Sequence, residues 1–195
     1  MTKVNRRSFI SSATVASGVA ATTAGGAKAA SILTESRGVS ANDKIHVGLI
    51  GCGGMGRYDL GDFLRVDEVE CLALADVDTE HSQQTVETVL EKRQRSPDTY
   101  QDFRRLLDRD DIDIVIVATP DHWHALPTIM ACQSGKDVYC EKPLATSIEE
   151  GRAMVNAARK HDRVVQIGTQ QRSSSHFREA VEFVSSGQLG TIRTV

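Results

Sequence analysis

The sequence predicts an α/β protein built on a doubly wound parallel sheet, and three observations predict it. Short, almost wholly apolar runs alternate with helix-periodic segments from Lys44 onward. The first such run ends in the glycine-rich turn Gly51-Cys52-Gly53-Gly54-Met55-Gly56, and three later runs end in polar clusters. Strands apolar on both faces and separated by helices are expected in a parallel sheet covered on each side.

The elements follow in order. Ile45–Ile50 reads as a buried strand ending in glycines, and 57–65 as a helix. Residues 68–75 form a second strand that stops at Asp76-Val77-Asp78. The polar stretch 79–95 carries Val86, Val89 and Leu90 at helical spacing, and Ser96-Pro97-Asp98 breaks it. Phe103, Leu106 and Leu107 mark a short helix over 103–108. Residues 112–118 are a third strand, stopped by Thr119-Pro120, and 126–134 a helix closed by Gly135. A fourth strand spans 137–140. The helix over 148–161 opens on Ser147 with Glu150 three residues on, a capping-box spacing. A fifth strand covers 164–168, a last helix 177–186, and 191–195 reads as the start of another strand.

Composition separates the N-terminus from the rest. The 195 residues carry a net charge of -3, with nothing in the bulk charge to suggest a nucleic-acid partner. Residues 1–29 hold Lys3, Arg6, Arg7 and Lys28 and no acid, leaving 19 basic against 26 acidic residues downstream. Paired arginines before Ser8-Phe9-Ile10, a mild apolar stretch to about Gly25, and Ala27-Lys28-Ala29 read as an export signal of the twin-arginine type. Periplasmic or otherwise exported localisation, and the twin-arginine machinery as a partner, are the corresponding expectations. The domain reading is a signal at 1–29, a linker at 30–43, a dinucleotide-binding domain at 44–172, and a connecting helix and strand at 173–195. Cys52, Cys71, Cys132 and Cys140 form no C-x-x-C pair or zinc spacing and read as small buried hydrophobes.

The chemistry is expected at the strand ends. In G-x-G-x-x-G, Gly51 allows a tight turn, Gly53 lets backbone approach a pyrophosphate, and Gly56 lets helix and strand pack closely. The helix N-terminus adds amide donors and a positive dipole. Asp76 lies 20 residues past Gly56, at the end of the second strand. A carboxylate there accepts ribose hydroxyls and repels a 2′-phosphate, which favours NAD over NADP. Asp78 is the competing acid, with a turn role as its alternative. The other clusters are Thr119-Pro120-Asp121-His122-Trp123-His124, Glu141-Lys142-Pro143 and Gly168-Thr169-Gln170-Gln171-Arg172. Lys142 is the candidate catalytic residue: a partly desolvated lysine can take a proton from a substrate hydroxyl as hydride leaves, with Glu141 orienting it. Its alternative is a surface Glu–Lys pair. His122 and His124 lack an evident third metal ligand, so no metal site is assigned. Trp123 packs on a ring in the cleft or caps the core.

Taken together, IHVGLIGCGGMG at 45–56, ADVD at 75–78, IVIVATPDHWH at 114–124, GKDVYCEKPLA at 135–145 and VVQIGTQQR at 164–172 resemble the Gfo/Idh/MocA oxidoreductases. The resemblance implies a Rossmann domain in which Gly51, Gly53, Gly54, Met55 and Gly56 wrap the pyrophosphate and Asp76 holds the adenosine ribose. It implies that Thr119, Pro120 and His124 line the cofactor site, and that Glu141 and Lys142 form an EKP motif whose lysine meets nicotinamide and substrate. The implied reaction is hydride transfer between NAD and a hydroxyl-bearing carbon of a sugar or cyclitol. An exported NAD-dependent glycosidase of similar fold is the second reading, and the intact Glu141-Lys142-Pro143 favours the dehydrogenase. A non-catalytic nucleotide-binding fragment is the third. The family's second α/β domain supplies much of the substrate pocket and often the interface of a homo-oligomer. The chain reads as a fragment carrying only the start of that domain, expected to be inactive alone.

Overall fold

The computed structural model describes residues 44–194. The expected export signal and linker lie outside the described residues.

Six parallel strands form one sheet: β1 Ile45–Ile50, β2 Val69–Ala75, β3 Asp98–Tyr100, β4 Ile114–Val117, β5 Asp137–Glu141 and β6 Val165–Gly168, in the order β3-β2-β1-β4-β5-β6. The helices are α1 Gly54–Phe63, α2 Thr79–Lys92, α3 Phe103–Leu107, α4 Ala125–Gln133, α5 Ile148–Lys160 and α6 Ser175–Ser185. Side chains alternate across the sheet and split the core in two. Val47, Leu49, Cys71, Leu74 and Ile116 pack with Leu60 and Leu64, from α1 and its end, and with Val89 of α2. Ile50, Ala73, Val115, Val117, Val138 and Cys140 pack on the other face with Leu106 of α3, Ala131 of α4 and Met154 of α5. Helices therefore cover both faces, and the doubly wound Rossmann expectation holds. The order of strand addition reverses between β1 and β4, which opens a crevice beyond their carboxyl ends.

The structure departs from the predicted elements at several places. β3 falls where the sequence predicts only a helix break. It adds to the open edge of β2 in register Ala73–Asp98, Leu74–Thr99 and Ala75–Tyr100. Three residues are too few to show a periodic pattern, and their ladder comes entirely from the neighbour. α1 starts at Gly54, three residues earlier than predicted, because its first turn is held against Gly51 rather than by propensity. α2 ends at Lys92. Arg93 leaves the helix and its guanidinium donates to the carbonyls of Leu64, Val66 and Val69 at 2.9–3.2 Å. Residues 191–194, expected to begin a strand, join no ladder among the described residues. α6 forms as expected and buries no residue, leaving Phe177, Val181 and Val184 exposed.

All four cysteines are buried and free. Burial first of all, with the Asp76 charge second, pushes the Cys52 thiol up to about 12; burial likewise raises Cys71 to about 12 and Cys140 to about 11. Inert, hydrophobe-like thiols follow.

Candidate active site: a dinucleotide crevice

The glycine turn is built by close backbone contacts. Gly51 has φ +93°, a conformation side chains rarely adopt, and a Cβ there would sit 2.6 Å from the Ala118 carbonyl oxygen. A Cβ on Gly56 would collide with the Gly51 carbonyl oxygen. Gly53 and Gly54 face open space: a Cβ added at either would meet nothing within 4 Å. No side chain caps α1, so its first amides are left for an anionic ligand. Two of the three motif glycines are thus required by packing, whereas Gly53 is required only by what enters the crevice.

Asp76 does more than its ribose role implies. Its Oδ2 accepts the Cys52 N–H at 2.6 Å, and its Oδ1 accepts the Asp78 N–H at 2.9 Å. The carboxylate therefore clamps the glycine turn to the end of β2. Each oxygen keeps a second lone pair for a ribose hydroxyl. Asp78 takes the turn role: it caps α2, accepting the Glu80 N–H at 2.8 Å.

A cavity of about 510 Å³ opens beside this clamp, lined by Gly51, Asp76, Val77, Phe103, Arg104, Thr119, Pro120 and Trp123 among others. Trp123 meets Phe103 edge-on at 6.5 Å and stands at the cavity rim rather than over the core. Thr119 places a buried Oγ1 with no partner among the described residues here, a hydroxyl available to a ligand. Phe103, Asp102 and Arg104 were missed by sequence reasoning, because their place in the crevice depends on β3. Arg104 is held by Asp102, with Nε–Oδ1 and Nη2–Oδ2 both 2.8 Å.

His124, expected to line the cofactor site, is turned away from it. Its ring is 1% exposed, with Nδ1 2.6 Å from the Pro143 carbonyl and Nε2 2.8 Å from the Thr119 carbonyl. Both partners are backbone carbonyls, so both ring nitrogens are committed to the main chain. No ring nitrogen is left for a cofactor or metal. The ring ties the loop after β4 to the loop after β5, and its influence on the crevice runs through Thr119 and Pro143.

Glu141 and Lys142 also differ from expectation. The Glu141 carboxylate points inward at 3% exposure and accepts the Lys142 backbone N–H at 3.1 Å. It does not pair with the ammonium, so it positions the Lys142 backbone. The Lys142 side chain is exposed, not desolvated, because it projects past the open end of β5. Gln170 does not join the glycine crevice. It lines a second cavity with Asp59 and Tyr139 between α1 and β5.

A dinucleotide crevice at the reversal point of a Rossmann sheet, with a lysine loop beside it, defines a cofactor-dependent oxidoreductase domain. Residues 45–169 match the GFO_IDH_MocA family, described as "Oxidoreductase family, NAD-binding Rossmann fold". The chain belongs to that family. It is 36% identical over 122 residues to a "Glycosyl hydrolase family 109 protein" of Shewanella pealeana, covering 60% of this chain and 27% of that protein. It is 28% identical over 148 residues to the "Uncharacterized oxidoreductase YrbE" of Bacillus subtilis, covering 76% of this chain and 42% of that protein. Among solved structures, the WlbA dehydrogenase of Bordetella pertussis, in complex with NADH and UDP-GlcNAcA, superposes with a TM-score of 0.66 at 25% identity, over 75% of this chain and 43% of that one. The chain thus spans less than half the length of these relatives.

Proposed function

We propose that this chain is the cofactor half of an NAD-dependent oxidoreductase acting on a hydroxyl-bearing carbon of a sugar or cyclitol. The observation that carries the reading is Asp76, which braces the glycine turn while its remaining lone pairs face the crevice. NAD fits the residues present: Gly53 leaves room for a pyrophosphate, the α1 amides face it, and Thr119 offers an unpartnered hydroxyl. A carboxylate at Asp76 favours NAD over NADP. When bound, the nicotinamide supplies the hydride acceptor or donor. Lys142 holds or takes the proton of the substrate hydroxyl at its Nζ, and Glu141 fixes the lysine backbone. The sugar class is supported by the nucleotide sugar of the WlbA dehydrogenase.

Steady-state assay of the full-length protein with sugars and cyclitols tests this. Lys142→Met is expected to lower kcat by about 10²–10⁴-fold, the usual worth of a positioned acid–base group, with NADH affinity changed only a few-fold. An unchanged kcat would remove Lys142 from the chemistry. A glycosidase using NAD transiently is the second reading, favoured by the 36% identical glycosyl hydrolase relative. Aglycone release without net NADH would select it.

The paired Arg6-Arg7 and the small-residue site at Ala27–Ala29 support export by the twin-arginine route, and the family resemblance supports a homo-oligomeric full-length form. Arg6→Lys with Arg7→Lys is expected to leave the protein in the cytoplasm on cell fractionation. Unimpaired export of that variant would exclude the route.

A further inference from the structure

Asp59 lies on α1 just past the glycine turn and is 4% exposed. Its Oδ2, the Oε1 of Glu141 and the Oε1 of Gln170 are buried oxygens with no hydrogen-bond partner among the described residues. All three belong to one corner. The cavity beside Asp59 is lined further by Tyr58, Asp62, Phe63, Val66, Tyr139 and Gln170, with no cation among them. From the β6 side, a Cβ on Gly168 would collide with Glu141 Oε1 and sit 2.9 Å from the Tyr139 hydroxyl, so Glu141 is packed in place.

Two ionised carboxylates buried in one cation-free corner repel each other and leave oxygens unpaired. A proton on one of them removes the repulsion and turns an orphan acceptor into a donor. Glu141 has reason to keep the charge, because its Oε2 accepts the Lys142 N–H at 3.1 Å.

We propose that Asp59 is a positioning residue for the Lys142 loop: Asp59 and Glu141 carry one negative charge between them, Asp59 holds the proton, and the charge on Glu141 holds the Lys142 N–H. The inference rests on the reading of Lys142 as a site residue. It links α1, which starts at the glycine turn, to the lysine loop through a single proton.

Burial first, then the charges of Glu141 and Asp62, push Asp59 up to about 7 from an ordinary 3.8. The groups facing it are Asp62 on its own helix, Glu141 and Tyr139 on β5, and Gln170 after β6. The folded chain binds this proton more tightly than the unfolded one. The stability it contributes is therefore complete below pH 3.8 and lost as pH rises through about 7.

The test is an NMR titration of the isotopically labelled full chain from pH 5 to 9, with no cofactor added. The Asp59 carboxyl carbon is expected to titrate near neutrality. The Lys142 amide shift should move with the same midpoint, and Asp59→Asn should flatten it. Glu141→Gln should lower the Asp59 midpoint by about one unit or more, since it removes the neighbouring charge. An Asp59 ionised across the whole range, or a Lys142 amide that titrates unchanged in Asp59→Asn, would overturn the proposal. If Asp59→Asn fails to fold, the wild-type carboxyl titration and Glu141→Gln still decide. NADH calorimetry on the same samples reports separately: failure to bind NADH would sink the cofactor reading and leave the carboxyl result standing.

Discussion

Gly56→Ala is expected to destabilise the domain by about 3 kcal/mol or more and to abolish NADH binding, as read by chemical denaturation and calorimetry. The added Cβ would run into the Gly51 carbonyl oxygen, with the Gly51 carbonyl carbon at 3.1 Å and Leu49 Cδ1 at 3.3 Å. The principal obstacle is backbone, and it cannot swing aside as a flexible side chain would. Gly51 cannot retreat either, since its own Cα faces the Ala118 carbonyl and its amide donates to Ala75 at 2.9 Å. The turn must open, and α1 would shift off Leu49 and Ile116. A Gly56→Ala variant with wild-type stability would show that α1 and the turn do not make this close approach.

Asp76→Ala is expected to weaken NADH binding by about 100-fold or more, about 2.7 kcal/mol. Two effects add. The Cys52 and Asp78 amides lose a charged acceptor, worth about 1.5–3 kcal/mol for a hydrogen bond of that kind, so the glycine turn loosens before any ligand arrives. The ribose hydroxyls lose their partner as well. Asp76→Asn separates the two, because the amide oxygen still accepts from one amide and no longer repels a 2′-phosphate. Its NADPH-to-NADH affinity ratio should rise, though without making NADPH a tight ligand. Arg104, the arginine lining the cavity, is already engaged by Asp102. Paired calorimetric titrations with NADH and NADPH check both variants. An Asp76→Ala protein that binds NADH as wild type does would mean that the clamp is unrelated to the cofactor.

Much of this was legible in the sequence because local pattern and tertiary role coincide. β1, β2 and β4 are apolar runs ended by turn residues, and buried parallel strands need no other signal. The spacing from the glycine turn to Asp76 spans one helix and one strand, so the acid's place follows from the fold. β3 was illegible because three residues form a strand only when β2 offers an edge, and Phe103 and Arg104 were lost to the crevice with it. The inward turns of His124 and Glu141 were illegible for another reason. Nothing in their neighbours says which way a side chain at a strand end will point; packing of the Pro143 and Thr119 loops decides it. Asp59 was hidden because an acid on a short, glycine-rich helix looks solvated, and its burial arises only where α1 meets β5.

The central claim is that the Gly51–Gly56 turn, braced by Asp76, is the pyrophosphate seat of an NAD site. It is tested most directly by titrating NADH into the wild-type chain and into Gly53→Ala. Gly53 has nothing within 4 Å of its would-be Cβ, so the variant should keep its stability to within about 0.5 kcal/mol. Saturable NADH binding by the wild type, weakened about tenfold or more in Gly53→Ala, is the expected result. Equal NADH affinity in the two proteins, or no saturable binding by the folded wild-type chain, would contradict the assignment.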